Sequence, residues 1–224
     1  MGHITHPSGI RQEIVDKVVK RRGRLHAYER INPTKTALVV VDLDTATTKR
    51  MGSDTDIMRI IQPINQIAAA LRAYEGVVAW VTSPIQKANP NFRAIFGEET
   101  TKMYEEEGKP GGEGHTLWHE LDTKPGDIYV TKKRSSAFFP GNCNLHEQLQ
   151  KLSIDTLLIT GTVTNICCEA SARDAAELDY KVIMVSDAMQ GHAWGLHEAA
   201  LATFFRVYGD VRPTKEVIRL IEGT

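Results

Sequence analysis

The sequence has little of three features that would place it in a specialised class. Its 224 residues include only three cysteines, Cys143, Cys167 and Cys168, a sparse and odd set that predicts no disulfide framework and favours a reducing cytoplasm. No apolar run approaches the roughly 18 residues of a membrane span, and the N-terminus has no signal-peptide core. The formal net charge of -1 argues against a nucleic-acid or membrane surface. We therefore expect a cytoplasmic protein that acts on a small molecule.

Apolar strand patterns alternate with helical patterns along most of the chain. Continuous apolar runs predict buried strands at residues 37–42, 77–82, 128–131, 156–160 and 181–185, with a further short strand near Val211. Helical spacing predicts helices at residues 54–74, 144–151, 166–178, 196–207 and 214–221. Because crossovers between parallel strands are right-handed, this order predicts an α/β fold with three layers (αβα) and a mostly parallel central sheet. Residues 1–35 are interpreted as an N-terminal extension with one helix, and residues 36–224 as one domain.

Two local patterns give further expectations. Residues 83–127 show little periodicity, and so long a loop in a compact domain is usually functional. The glycine-rich segment 109–114 within it follows no strand and predicts a flexible lid, not a phosphate loop. The long helix is expected to be capped by Asp54 or Thr55 and to kink or restart at Pro63.

Three predicted strands lead into reactive side chains: Asp42, Lys132 and Cys167. Each alone has an ordinary explanation as a loop acceptor, a solvated charge or a small buried side chain. Carboxyl ends of parallel strands meet at one edge, however, so the three are expected together. There Lys132 would hold a Cys167 thiolate and Asp42 would carry the proton to a leaving amine. Backbone N–H groups of Val163, Thr164 and Cys167 are the expected oxyanion hole.

The motifs around these residues resemble those of the isochorismatase-like cysteine hydrolase superfamily. The matching segments are ALVVVD at 37–42, KKRSSAF at 132–138 and GTVTNIC at 161–167, with ARDA at 172–175 and VSDA at 185–188, in family order over about residues 36–210. The resemblance implies a Rossmann-like fold, Cys167 as nucleophile ahead of Cys168, Asp42 as general acid/base and Lys132 as third member. It also implies a non-proline cis peptide at Val163–Thr164, and a homodimer or homotetramer.

The intact triad resembles the amidohydrolase branch of this superfamily, which includes N-carbamoylsarcosine, ureidoacrylate and biuret amidohydrolases. It implies a cysteine-dependent amidohydrolase that cleaves a C–N bond of a small amide, ureido or carbamoyl compound through a thioester. An isochorismatase-type vinyl-ether hydrolase is a second hypothesis, although such members do not use the cysteine. A third is a non-catalytic binding protein on the same fold. A redox-sensing thiol protein is a fourth, but the chain lacks a Cys-x-x-Cys spacing.

Several side chains are candidates for substrate contacts. Asp44 stands where many relatives have an amide; it either faces the pocket, which would suit a cationic or hydrogen-bond-donating substrate, or caps the following loop. Arg134 either binds a substrate carboxylate bidentately or is held against the sheet. Trp118, Phe138 and Asn165 are expected to line the pocket.

No metal and no cofactor are predicted. Nicotinamidases resemble this family and add an Asp/His metal site, whose histidines have no evident counterpart here. His115 and His119 are four residues apart, but such a pair in a loop is weak evidence for a metal site.

Overall fold

The sheet contains six strands, all parallel, in the computed structural model, which describes residues 5–52 and 54–224. The strands are β1 (Thr36–Val41), β2 (Val77–Thr82), β3 (Ile128–Thr131), β4 (Thr156–Thr162), β5 (Lys181–Gln190) and β6 (Asp210–Arg212). Their order across the sheet is β3-β2-β1-β4-β5-β6, and each neighbouring pair is parallel. The prediction of an α/β fold is confirmed, and the described sheet is wholly rather than mostly parallel.

Helices cover both faces of this sheet. They are α1 (Gln12–Arg22), α2 (Thr45–Arg50), α3 (Asp54–Ala73), α4 (Pro90–Phe96), α5 (Glu98–Glu107), α6 (Leu145–Lys151), α7 (Glu169–Glu177), α8 (Trp194–Val207) and α9 (Thr214–Glu222). One buried apolar cluster joins a face of the sheet to α3 and α9. A second cluster joins the other face to α1, α6, α7 and α8, which completes the three layers. Over the described ranges, no helix combines the length and apolarity that crossing a bilayer requires.

Burial on both faces explains why the sequence predicts the central strands as continuous apolar runs. All residues of β1 and β4 are buried, so both faces of each strand carry apolar or small side chains. The N-terminal helix α1 adds Val15 and Val18 to the core, and the boundary between residues 35 and 36 stays a prediction.

The structure corrects several element predictions. Residues 83–127, predicted to be a loop, contain the helices α4 and α5. The aromatic rings of Phe92, Phe96 and Tyr104 pack on one another. The two helices therefore carry no long apolar pattern that the sequence analysis could recognise. β5 continues to Gln190 because Ser186 and Asp187 interrupt its apolar run without ending the strand. α3 passes through Pro63 as one helix, without a restart. The expected cap at Asp54 or Thr55 concerns side chains outside the described residues.

Gly161 allows the two central strands to approach at the edge where reactive side chains gather. Its φ is 104°, and a Cβ there would lie 2.1 Å from the carbonyl oxygen of Val41. Gly161 pairs with Val41 in the register between β1 and β4. The residue is glycine because both the backbone conformation and the close approach exclude a side chain. This approach sets the end of β1 beside the turn that follows β4.

Candidate active site

The carboxyl edge of the sheet brings together the acid, the ammonium and the thiol. Asp42 follows β1, Lys132 follows β3, and Cys167 lies in a π-helical turn, Thr164–Cys168, between β4 and α7. Lys132 Nζ lies 2.8 Å from Asp42 Oδ2 and 3.5 Å from Cys167 Sγ. The Lys132 side chain is fully buried, and Cys167 is partly exposed. A single ammonium therefore contacts both other members of the set.

Asp42 is fixed by its backbone as well as by its side chain. Its φ of 51° lies in the left-handed region, which Asp tolerates better than most residues. Its N–H donates to Val81 O at 2.8 Å, and its carbonyl accepts from Thr162 Oγ1 at 2.6 Å. Asp42 Oδ1 is buried and has no hydrogen-bond partner among the described residues. One carboxylate oxygen thus holds Lys132, and the other is left as a free acceptor.

The electrostatics of the site depend on burial and on close charges. Burial alone would lower the pKa of Lys132, but the Asp42 carboxylate and the Cys167 sulfur outweigh it and raise that pKa. Burial, reinforced by the Asp42 carboxylate, raises the pKa of Cys167 to about 12, although Lys132 acts in the opposite direction. Burial and Asp42 thus oppose the effect expected of Lys132, and a resting Cys167 thiolate stays a prediction.

The nucleophile turn differs from the expectation in the position of its cis peptide. The bond lies at Thr162–Val163, at the last residue of β4, and not at Val163–Thr164. After this bond, the carbonyl of Val163 accepts the N–H groups of Ile166 and Cys168. The oxyanion role of the N–H groups of Val163, Thr164 and Cys167 stays a prediction.

Two hydroxyl side chains that hold this site were missed by the sequence analysis. Thr162 Oγ1 donates to the carbonyl of Asp42, and Ser171 Oγ donates to the carbonyl of Cys167 at 2.6 Å. Ser171 Oγ also accepts from the N–H of Ala137 at 3.0 Å, which ties the loop after Lys132 to the nucleophile turn. The spacing of Ser171 four residues after Cys167 was the available signal, because it is the spacing of one helical turn.

Asp44 caps α2, which was one of its two expected roles. Its carboxylate accepts from Thr47 N at 2.8 Å and from Thr47 Oγ1 at 3.0 Å. The residue is 2 % exposed, and burial raises its pKa to about 6, with the Asp42 carboxylate adding to the rise. The backbone at Asp44 also pairs with Leu117, so residues near 117 return to the site from the long connection.

The other candidate contacts occupy different environments. Trp118 packs in the core on the α3 side, and its buried Nε1 has no acceptor among the described residues. Phe138 packs in the opposite core edge-to-face on Tyr180, which leaves its ring little surface for a substrate. Arg134 is exposed after β3 and is not held against the sheet. Asn165 lies in the nucleophile turn, and its buried Oδ1 lacks a donor within the described chain.

The paired histidines of the long connection do not converge. His115 Nε2 lies 3.0 Å from the carbonyl of Gly108. The exposed His119 lies beside Glu120 instead. Among the described residues no three His, Cys, Asp or Glu side chains are grouped so as to hold a metal ion.

A parallel sheet that gathers Cys, Asp and Lys at its carboxyl edge defines an α/β enzyme domain, and sequence comparison identifies its family. Residues 36–216 match the family described as the isochorismatase domain. The chain belongs to the isochorismatase family of hydrolases.

Proteins with related sequences match this chain over most of its length. A ureidoacrylate amidohydrolase, RutB, of Pseudomonas syringae pv. syringae is 32% identical over 198 residues, covering 80% of this chain and 79% of the relative. The uncharacterised isochorismatase family protein YwoC of Bacillus subtilis is 29% identical over 194 residues, covering 84% of this chain and 95% of the relative.

Two solved structures are also similar to this chain. A cysteine hydrolase from Pseudomonas syringae pv. phaseolicola superposes with a TM-score of 0.78 at 27% identity, covering 89% of this chain and 98% of that one. The N-carbamoylsarcosine amidase from Thermoplasma acidophilum superposes with a TM-score of 0.65 at 25% identity, covering 80% of this chain and 96% of that one.

Proposed function

We propose that this hydrolase is a cysteine-dependent amidohydrolase that cleaves a C–N bond of a small amide, ureido or carbamoyl compound through a thioester. The observation that carries the proposal is the position of Lys132 Nζ, 2.8 Å from Asp42 Oδ2 and 3.5 Å from Cys167 Sγ, with Asp42 Oδ1 unpartnered within the described residues. The names of the ureidoacrylate amidohydrolase and N-carbamoylsarcosine amidase relatives support this substrate class.

In the first half of the proposed reaction, Cys167 attacks the carbonyl carbon. Because its pKa is raised, the thiol gives up its proton as the C–S bond forms, and Asp42 Oδ1 is the free acceptor beside it. The oxyanion that develops would be stabilised by N–H groups of Val163, Thr164 and Cys167. When the C–N bond breaks, Asp42 returns the proton to the leaving nitrogen, so ammonia or an amine departs and a thioester remains.

In the second half, water hydrolyses the thioester. Asp42 removes a proton from the water as its oxygen attacks the acyl carbon, and the C–S bond breaks. The departing sulfur of Cys167 takes the proton back, which restores the starting state. Lys132 stays protonated throughout, because its raised pKa keeps it cationic, and it offsets the charge on Asp42 and on the sulfur.

Substrate recognition would use buried acceptors near the turn. Asn165 Oδ1 and Asp42 Oδ1 are buried acceptors without donors among the described residues, and the N–H groups of an amide or ureido substrate can satisfy such acceptors. Arg134 is exposed and free to reach a substrate carboxylate. Asp44, Trp118 and Phe138 would affect substrate recognition through the shape and charge of the wall of the substrate pocket.

A second copy of the chain is the proposed partner, as a homodimer or homotetramer. α8 exposes Trp194, Leu196 and Val207, whose exposed fractions of 71%, 51% and 62% are large for apolar side chains. The molar mass from light scattering, measured as the protein elutes from a size-exclusion column, would test this proposal. A monomer at micromolar concentration would contradict it.

The test of the function is ammonia release from nicotinamide, N-carbamoyl amino acids, biuret, ureidoacrylate and simple amides. We expect at least one to release ammonia with the wild-type protein and none with Cys167→Ala of confirmed fold. Release that persists in Cys167→Ala would remove the nucleophile assignment. Failure of the whole panel, together with alkylation of Cys167 by iodoacetamide no faster than alkylation of Cys143 at the same pH, would favour a binding protein.

A further inference from the structure

The nucleophile turn is attached to α8 by one buried hydrogen bond. Thr164 is the first residue of the turn that carries Cys167, and its Oγ1 lies 2.9 Å from Nδ1 of His197 in the first turn of α8. Both residues are buried, with exposed fractions of 0% and 7%. The bond spans 33 residues of sequence, so it joins two elements that meet only in the folded protein.

Which atom donates in this bond depends on the tautomer of the imidazole. Burial lowers the pKa of His197, which favours the neutral ring, although Glu198 acts in the opposite direction. Thr164 Oγ1 has no other hydrogen-bond partner among the described residues. The hydroxyl donates when the ring proton is on Nε2 and accepts when it is on Nδ1, so either tautomer of the neutral ring forms the bond.

Trp194 and Gly191 lie against the His197 side chain. The indole of Trp194 stacks on the His197 ring from outside, with centroids 5.4 Å apart and planes 26° apart. On the inner side, a Cβ added to Gly191 would lie 3.3 Å from His197 Cβ and 3.7 Å from Asn165 Oδ1. Trp194 therefore packs on the imidazole, and the backbone at Gly191 passes close to the same side chain.

An ordinary explanation is that two buried polar groups merely satisfy each other. The location of this bond, at the start of the nucleophile turn, argues for a role in placing Cys167 as well. Ser171 holds the carbonyl of Cys167 from the α7 side, and His197 holds the start of the same turn from the α8 side. Lys132 Nζ lies 3.5 Å from Cys167 Sγ, so a shift of the turn would change the distance between the ammonium and the nucleophile.

We propose that His197 is a positioning residue for the nucleophile: through its hydrogen bond with the Thr164 hydroxyl it sets the place of Cys167 Sγ relative to Lys132 and Asp42. The inference rests on the proposed function, because it assumes that Cys167 reacts. Neither side chain touches the substrate in this proposal, and both act through the turn.

The test measures the rate of Cys167 alkylation by iodoacetamide from about pH 7 to 9.5, with the labelled peptide identified by mass spectrometry. The pH at which the rate constant reaches one fixed value is taken as the midpoint of the profile. Thr164→Val removes the hydroxyl and keeps the shape. We expect it to move the midpoint of the alkylation profile by about half a pH unit or more, because the thiol pKa depends on its distance from Asp42 and Lys132. Thr164→Ser restores the hydroxyl and should restore the wild-type midpoint.

Two further variants separate positioning from stability. Thr156→Val removes a buried hydroxyl bonded to Asp155 at the opposite end of β4, so it should destabilise by a similar amount and leave the midpoint unchanged. His197→Leu should reproduce the effect of Thr164→Val, and the double variant should add nothing. An unchanged midpoint in Thr164→Val, or an equal shift in Thr156→Val, would overturn the proposal.

Turnover adds a second readout if the ammonia panel yields a substrate. Thr164→Val should lower kcat about 10-fold and leave KM within about twofold, because misplacement of the nucleophile affects the chemical step more than binding. A loss confined to KM would overturn the positioning role. The alkylation profile decides the inference without any substrate, so its failure is distinguishable from failure of the proposed function.

Discussion

Two regions at the carboxyl edge of the sheet each contain a pair of like side chains with different environments. After β1 stand two buried acids, Asp42 and Asp44, of which one contacts Lys132 and the other caps α2. After β4 stand two thiols, Cys167 and Cys168, of which one is partly exposed beside Lys132 and the other is fully buried and donates to Thr160 O at 3.7 Å. Residue type alone therefore does not single out the reactive member.

What separates the members of each pair is contact with one ammonium. Lys132 touches Asp42 and Cys167. Asp44 instead accepts a hydrogen bond from the N–H of Thr47, and Cys168 donates one to the carbonyl of Thr160. If this comparison is correct, substitutions within a pair should have unequal effects on activity and on stability.

Cys167→Ala should give the largest effect on turnover. Loss of the nucleophile removes the covalent route, so kcat/KM should fall by about 10⁴-fold or more on whichever substrate the ammonia panel identifies. Thermal unfolding and circular dichroism should stay near the wild type, because the thiol is partly exposed and small. Activity retained in Cys167→Ala but lost in Cys168→Ala would reverse the assignment of the two thiols.

Lys132→Met should give the largest effect on stability. It leaves the buried Asp42 carboxylate without its counter-charge, which typically costs about 3–5 kcal/mol in the free energy of unfolding. Urea unfolding at neutral pH measures this. The double variant Lys132→Met with Asp42→Asn removes both charges and should be less destabilised than the two single costs added together; strict additivity would mean that the pair is not coupled.

Asp44→Asn should change how stability depends on pH. The pKa of Asp44 is raised from 3.8 to about 6 in the folded protein, so its contribution to stability is fully present below about pH 4 and is lost as the pH rises through 6. Asn keeps the helix cap and does not titrate. Relative to the wild type, the free energy of unfolding of the variant should therefore rise by about 2 kcal/mol between about pH 4 and pH 7.

Urea unfolding across that range tests the Asp44 prediction. Glu99→Gln, at an exposed position of α5, is the control for the general loss of one negative charge. Parallel curves for the wild type and Asp44→Asn would contradict the raised pKa.

Cys168→Ala should give the smallest effect. The side chain fills the core and contributes a weak hydrogen bond, so its loss should cost about 1 kcal/mol of stability. Turnover should remain within about threefold of the wild type, measured as initial ammonia release below the unfolding temperature. A fall as large as that of Cys167→Ala would show that the two thiols share a role.

Much of the fold could be predicted because its signals are local. The apolar runs of β1 and β4 are fully buried, so the strands were visible without knowledge of their neighbours. α4 and α5 were not visible, since Phe92, Phe96 and Tyr104 pack on one another and not on the sheet. Thr162 and Ser171 were missed because a hydroxyl becomes informative only when its partner is known.

The sequence by itself determined the alternation of strands and helices and placed Asp42, Lys132 and Cys167 at strand ends, because these depend on hydrophobic periodicity along the chain. Tertiary structure alone decided that Asp44 caps a helix, that burial raises the pKa of Cys167 and that His197 meets Thr164. Those outcomes depend on burial and on distances between groups far apart in sequence. A pKa or a hydrogen bond is set by such distances, and they exist only after the strands have paired.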